Sequence, residues 1–153
     1  MAINEDLFKN KHFLICLMEP YIMGAEKQLE RVLTVHTCIK DPARYTITQH
    51  YVFIYELSSL LEHLNMISRC RSNAGLAGTD LEKKINDFRN EIRHTGRFDE
   101  IREDRNKRLG KKTELRFELR VADSGIKIGT TQLSFKEIDM YIQQIKLELT
   151  GIL

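Results

Sequence analysis

The chain has 153 residues, enough for one domain with a well-packed core, and we expect a single domain over residues 1–153. Its apolar share of 42% and charged share of 30% exclude a disordered chain and are typical of a globular protein. The net charge of +2 excludes a protein that binds nucleic acid over its whole surface, so any such interface must come from local clustering of cations.

The N-terminal residues and the cysteines predict a cytoplasmic protein. Residues 1–6 are acidic and no apolar run is long enough to cross a membrane, so neither a signal peptide nor a membrane span is expected. Cys16, Cys38 and Cys70 are scattered without metal-ligand spacing, which predicts reduced thiols in or near the core.

A long first helix is predicted from about Asn4 to Cys38. Residues recurring at steps of three, four and seven predict one buried stripe along it, formed by Leu7, Leu14, Met18, Ile22, Ala25, Leu29, Val32 and His36. Pro20 lies within this stripe. Because proline removes a backbone donor and clashes with the preceding turn, it is expected to kink or split the helix.

Asp41 and Pro42 predict the cap and first turn of a second helix that reaches about Arg71. One side is traced by Val52, Tyr55, Ser59, Glu62/His63 and Met66, and another by Ile54, Leu57, Leu61, Leu64 and Ile67. Two apolar sides indicate a central helix. Tyr51, Phe53 and Tyr55 are therefore interpreted as core rather than as a base-stacking surface, and His63 as a core histidine.

A third helix is predicted to follow the glycine-containing turn of residues 72–78. Thr79 and Glu82 have the spacing of a capping box, and the core side is expected to consist of Leu81, Ile85, Phe88 and Ile92. Gly96 is a candidate for the left-handed residue that ends the helix.

The segment after this helix is rich in cations. Residues 89–120 contain eleven Lys or Arg against seven Asp or Glu, and residues 105–112 carry five cations without an acid. One interpretation is a solvated connector; the other is a surface that follows RNA phosphates. Its candidate contacts are Arg93, Arg97, Arg105, Lys107, Arg108, Lys111 and Lys112.

A small β-hairpin over about residues 114–131 precedes the last predicted helix. Residues 114–121 alternate between polar and apolar, residues 123–125 form a turn, and residues 126–129 begin the antiparallel partner strand. Ser134 and Glu137 form a second capping-box pattern, and the helix that follows should bury Phe135, Ile138, Tyr141/Ile142, Ile145 and Leu149. The predicted fold class is all-α: a bundle of about four main helices with a hairpin before the last.

The residues with the clearest chemical potential lie in F-R-N-E-I-R-H-T-G, residues 88–96. Arg89 supplies a cation for phosphate and His94 an imidazole that titrates near neutral pH, the two groups that RNA cleavage without a metal requires. Asn90 distinguishes this triplet from Arg31 and His36, which have the same spacing and are interpreted as structural. The structural alternative pairs Arg89 with a carboxylate and places His94 as a cap on the terminal carbonyls.

The motif formed by Arg89, Asn90 and His94, with an aromatic residue before it and a small one after it, resembles the signature of HEPN domains. The resemblance implies an all-helical bundle, commonly a homodimer, whose active members are metal-independent endoribonucleases of toxin–antitoxin and abortive-infection systems and of RNA-guided effectors. It also implies that Arg89, Asn90 and His94 are the catalytic residues.

The spacing limits how these groups can meet. Residues five apart on an ideal helix are separated by about 140° around the axis and about 7.5 Å along it, so Arg89 and His94 diverge, whereas Asn90 and His94 share a face. Convergence therefore requires the helix to loosen near Gly96, or a second copy to supply the missing groups across a two-fold interface.

Two functions remain open at this stage. One is a metal-independent endoribonuclease that attacks phosphate with the RNA 2′-hydroxyl and acts as a toxin or phage-defence effector. The other is a catalytically inactive dimerisation or interaction module that binds RNA or a partner protein. The sequence has no metal-ligand spacing and no glycine-rich phosphate loop, so neither a metal nor a cofactor is expected. The predicted partners are RNA, a second copy of the chain and an antitoxin or other protein, but no membrane.

Overall fold

The computed structural model describes residues 3–92 and 119–152, with side chains over residues 16–92 and 121–151. These residues form helices α1 (Ile3–Lys40), α2 (Ile47–Asn73), α3 (described over residues 80–92) and α4 (Phe135–Ile152), with strands β1 (Leu119–Val121), β2 (Gly125–Ile128) and β3 (Thr131–Ser134). The predicted fold class is confirmed: the protein is mostly helical, and an antiparallel hairpin precedes the last helix.

Helix α1 runs through Pro20 as one helix, so of the two expected effects of proline the split is wrong, and the kink stays a prediction. Both Pro20 and Cys16, whose carbonyl lies one turn earlier, are exposed, and water can reach the carbonyl that loses its helical partner. The predicted stripe is buried at each position whose side chain is described, which are Met18, Ile22, Ala25, Leu29, Val32 and His36. The side chains of Leu7 and Leu14 lie outside the described ones.

Helix α2 begins five residues later than predicted. Asp41 does cap a turn, since its Oδ1 accepts the Ala43 amide at 3.0 Å, but that turn does not continue as a helix. The helix starts with a capping box in which Thr46 Oγ1 accepts the Gln49 amide and Gln49 Oε1 accepts the Thr46 amide, each at 3.1 Å. These two reciprocal bonds satisfy amides that a helix start otherwise leaves unpaired.

The prediction that Tyr51 and Tyr55 on α2 belong to the core is wrong. Phe53 is fully buried as predicted, whereas Tyr51 and Tyr55 are 66% and 74% exposed. Buried residues recur from position 53 at steps of three and four, which places one stripe against α1 and the two tyrosines outside it. Helix α2 is therefore central along its second half and exposed on one side of its first half.

The remaining predicted helix starts are confirmed. Thr79 Oγ1 accepts the Glu82 amide at 3.1 Å and Glu82 Oε1 accepts the Thr79 amide at 3.0 Å. At α4, Ser134 Oγ accepts the Glu137 amide at 3.0 Å and Glu137 Oε1 accepts the Ser134 amide at 3.2 Å. The predicted core positions of both helices are buried, apart from Leu81, which is half-buried. Gly96, the predicted end of α3, lies outside the described residues.

The predicted hairpin corresponds to β1 and β2, which pair antiparallel with Val121 opposite Ile126. The sheet has a third strand, β3, which pairs with β2 and leads directly into α4. Gly125 is required by this pairing, because a Cβ there would lie 2.2 Å from the Leu133 carbonyl oxygen. The residues before 119 that were predicted to belong to the first strand lie outside the described residues.

The C-terminal end of α1 holds the turn between β1 and β2. His36 is buried, and its Nε2 donates to the Ala122 carbonyl at 2.8 Å, which fixes the proton on that nitrogen. Its ring packs edge-on against Phe135, with 4.8 Å between ring centroids. Lys40 Nζ donates to the Asp123 carbonyl at 2.8 Å. The interpretation of His36 as structural is therefore confirmed.

The cysteines differ in exposure. Cys70 is buried and Cys38 is half-buried, as predicted, but Cys16 is exposed on α1. Burial raises the pKa of the Cys70 thiol, which keeps it protonated and unreactive. No helix in residues 3–92 or 119–152 combines the length and apolar character that a membrane span requires.

Candidate functional site

Arg89 and Asn90 lie at the end of the described part of α3, next to α2. Arg89 Nε donates to Glu62 Oε1 at 2.8 Å, and the Arg89 side chain is only 11% exposed. Asn90 is exposed on the neighbouring face. The carboxylate that holds Arg89 is thus on α2, rather than Glu82 or Asp87 on its own helix. The pairing of Arg89 with a carboxylate, the structural alternative for this residue, is therefore confirmed, and it engages Nε of the guanidinium.

The other predicted site residues lie outside the described residues. They are the catalytic candidate His94 and the RNA-binding candidates Arg93, Arg97, Arg105, Lys107, Arg108, Lys111 and Lys112. The convergence of Arg89 with His94 stays a prediction. The position of Arg89 itself is defined, because Phe88 and Ile92 on either side of it are buried and fix the rotation of α3.

The interior contains a charged cluster that joins three helices. Arg71 at the end of α2 donates Nε and Nη2 to the two carboxylate oxygens of Glu148 on α4, at 2.8 and 3.1 Å. Its Nη1 donates to Glu82 on α3. Tyr141 on α4 donates to the second Glu82 oxygen at 2.7 Å. Charged groups are stable in a core when each is paired in this way.

The contacts of this cluster shift its protonation equilibria. Burial by itself raises the pKa of Glu82, but the hydrogen bonds from Tyr141, Arg71 and the Thr79 amide outweigh it, so the pKa lies below its ordinary value. Burial and then the adjacent Glu82 charge raise the pKa of Tyr141 far above its usual range. The hydrogen bond to Glu148 raises the pKa of Arg71. Arg71, Glu82 and Tyr141 thus each keep one charge state near neutral pH, so these contacts stabilise the fold rather than transferring protons.

A polar cleft of about 440 Å³ lies between the second half of α2 and the start of α3. Arg69 and Ser72 line it from α2, and Lys83 and Asn86 from α3. Asn65 also lines it, and its buried Nδ2 has no hydrogen-bond partner among the residues that the structure describes. A buried donor without a partner costs about 1–3 kcal/mol, so native proteins rarely retain one without a reason.

His63 is held by contacts from two helices. Its Nδ1 donates to the Ser59 carbonyl at 2.7 Å, and its ring lies against Tyr21 at the crossing of α1 and α2. The predicted core role of His63 is consistent with this packing.

The sequence interpretation missed the charged cluster and the cleft. Glu82 was recognised only as a cap, although its second oxygen accepts the Tyr141 hydroxyl from α4. The available signal was Asn65, a polar residue between Leu64 and Ile67 on an otherwise apolar stripe. Buried polar residues in such a stripe usually mark a hydrogen-bond network or a binding site.

No protein-family model, no curated protein and no solved structure matches this chain. The HEPN resemblance therefore depends on the motif residues and on the helical fold class.

Proposed function

We propose that this protein is a HEPN-like, metal-independent endoribonuclease. The observation that carries the proposal is the placement of Arg89 and Asn90, consecutive motif residues on a helix whose apolar face is buried. Glu62 holds Arg89 at Nε, which is how a guanidinium is given a fixed direction for binding an anion. A role as a toxin or phage-defence effector is part of the same proposal.

The proposed reaction uses the 2′-hydroxyl of RNA as the nucleophile. The O2′–P bond forms and the P–O5′ bond breaks, which yields a 2′,3′-cyclic phosphate and a 5′-hydroxyl. His94 removes the 2′ proton or protonates the leaving oxygen, and Arg89 stabilises the charge that develops on the phosphorus oxygens.

The proposed site is formed by two copies of the chain. Arg89 and His94 diverge by about 140° if the helix continues, so a single straight helix cannot bring both to one phosphate. A two-fold dimer in which the α3 helices face each other would place two Arg–His sets around one cleft.

The test is incubation of purified protein with total RNA in the presence of a chelator. The parent should produce fragments, and Glu62→Gln should produce them more slowly because Arg89 is kept but loses the contact that orients it, whereas Arg89→Ala and His94→Ala should leave the RNA intact. Glu62→Gln is the matched control, since it breaks the same ion pair but keeps Arg89. Cleavage by Arg89→Ala or His94→Ala at the rate of the parent would contradict the proposal.

A second function is favoured by a specific observation. Tyr51 and Tyr55 expose most of their side chains on one side of α2, and Val52 beside them is 41% exposed. Exposed tyrosines are common in protein interfaces, which favours a catalytically inactive HEPN-like module that binds a partner protein or RNA. Intact RNA with a retarded band in a gel-shift experiment would favour this module over the enzyme.

A further inference from the structure

We propose that the cleft between α2 and α3 binds a phosphate group. Its cationic contacts are Arg69 and Lys83, and Asn65 also lines it, with a buried side-chain amide nitrogen that has no hydrogen-bond partner among the described residues. The cleft volume of about 440 Å³ far exceeds that of a phosphate ion, so it can also accept a phosphate attached to a larger molecule. This site is separate from Arg89 and does not depend on the proposed nuclease activity.

The two walls of the cleft each contribute one exposed cation. Arg69 projects from α2 and Lys83 from α3, and both line the cleft. Neither forms an ion pair with any carboxylate within residues 16–92 and 121–151. Two unpaired cations on opposite walls favour an anion between them, and a guanidinium with an ammonium is a common combination for phosphate.

The buried residue Asn65 distinguishes this cleft from an ordinary basic surface. The residue is 7% exposed, it lines the cleft, and its Nδ2 lacks a hydrogen-bond partner within the described structure. The cleft also borders the start of α3, since Gly78 and Thr79 line it. The positive end of the helix dipole therefore acts in the same direction as the two cations.

One carboxylate lies at the cleft and partly opposes the binding of an anion. Glu82 lines it, but both its oxygens already accept hydrogen bonds, from Arg71 and the Thr79 amide at one and from Tyr141 at the other. Arg71, which also lines the cleft, is shared between Glu82 and Glu148, so these three groups together keep one negative charge. Asp80, at the first position of α3, does not line the cleft.

The phosphate could be a free ion, the end group of a small molecule or a linkage of the RNA backbone. Lys83, Asn86 and Asn90 recur at steps of three and four and therefore share one face of α3. A backbone linkage in the cleft would thus lie on the same helix face as the motif residue Asn90.

The experiment is a titration of ¹⁵N-labelled full-length protein at constant ionic strength, followed through the side-chain amide of Asn65. The three probes are inorganic phosphate, ribose 5-phosphate and a 2′-O-methylated diribonucleotide that cannot be cleaved. At least one probe should shift the Asn65 side-chain resonances saturably, and the tightest identifies the source of the phosphate. The Arg69→Ala/Lys83→Ala variant should bind that probe about tenfold more weakly or worse, because it loses two charge-assisted contacts.

The matched control is Arg31→Ala/Lys27→Ala, which removes the same charges from exposed positions on α1 outside the cleft. It should bind within about twofold of the parent, because screened charges distant from a site contribute little. An equal loss of affinity in both double variants, or no shift of Asn65 with any probe in the parent protein, would overturn the proposal. The outcome of this titration does not depend on whether Arg89→Ala or His94→Ala abolishes RNA cleavage. The two proposals can therefore fail separately.

Discussion

The contact between Arg89 and Glu62 determines how a substitution at position 89 is interpreted. Arg89 is 11% exposed and Glu62 is 41% exposed, so the pair is partly screened by water and contributes on the order of 1 kcal/mol or less. Arg89→Ala and Glu62→Gln should therefore lower the free energy of unfolding by similar, small amounts. If the two variants then differ strongly in their rate of RNA cleavage, the difference comes from the reaction and not from the stability of the fold.

Gly24 illustrates a residue whose role is purely steric. It lies where α1 crosses α2, and a Cβ there would stand 2.6 Å from His63 Cδ2 and 2.7 Å from His63 Nε2. The His63 ring is held by its bond to Ser59, so it cannot move away without losing that contact. This is why the helix tolerates a glycine despite its low helix propensity.

We predict that Gly24→Ala lowers the free energy of unfolding by about 1–3 kcal/mol, because overpacking outweighs the gain in helix propensity. Chemical denaturation measures this change. Gly151→Ala is the matched control: it lies exposed on α4 with no atom within 4 Å of the added Cβ, and it should be neutral or stabilise by up to about 1 kcal/mol. A Gly24→Ala variant as stable as Gly151→Ala would contradict the packing at this crossing.

At the scale of the helices, the cluster of Arg71, Glu82, Tyr141 and Glu148 joins α2, α3 and α4. The pKa of Glu82 is lower in the folded protein than in the unfolded chain. The stability it contributes is therefore complete above the unfolded value of about 4.3 and is lost as the pH falls through the folded value.

We predict that Glu82→Gln lowers the free energy of unfolding at pH 7 by about 3 kcal/mol, because it breaks a buried charged contact. The difference from the parent should narrow below about pH 4.3, where the parent also loses the Glu82 charge. Urea denaturation at several pH values measures both effects. Glu19→Gln, at an exposed position on α1, should follow the parent throughout. A difference that stays constant from pH 7 to pH 3 would show that Glu82 is not charged in the fold.

The sequence predicts that the four helices exist, but it does not predict where every helix begins or which of its sides is buried. The capping boxes at Thr79 and Ser134 were recognised because nothing nearby competed with them. At α2, Asp41 and Pro42 form a local turn that resembles a helix start, whereas the structure begins the helix at the Thr46 capping box. Local capping signals cannot show which of two neighbouring starts the tertiary contacts will use.

Only those residues of the candidate site that lie close together in the sequence could be predicted. Arg89 and Asn90 were identified from their spacing, but Glu62 is 27 residues away along the chain and meets Arg89 only because α2 and α3 run antiparallel. Asn65, Arg69 and Lys83 likewise become one cleft only when the two helices pack. A single sequence does not specify which carboxylate or cation faces another across a helix pair.

At the scale of the whole molecule, the proposed nuclease depends on two copies of the chain forming a composite site. If α3 continues as a regular helix through position 94, Arg89 and His94 diverge, so in the proposed dimer each reaction centre uses the arginine of one copy and the histidine of the other. This arrangement has a consequence that no single-copy site shares: two inactive variants can complement each other.

The most direct measurement of this claim mixes Arg89→Ala and His94→Ala, each inactive alone, and follows RNA cleavage in the presence of a chelator. Random exchange of subunits gives half heterodimers, each with one intact site of two, so the mixture should regain up to about a quarter of the parental activity. The products should carry 2′,3′-cyclic phosphate ends. A mixture that contains heterodimers by native mass spectrometry and still leaves RNA intact, or a protein that forms no dimer, would contradict the account.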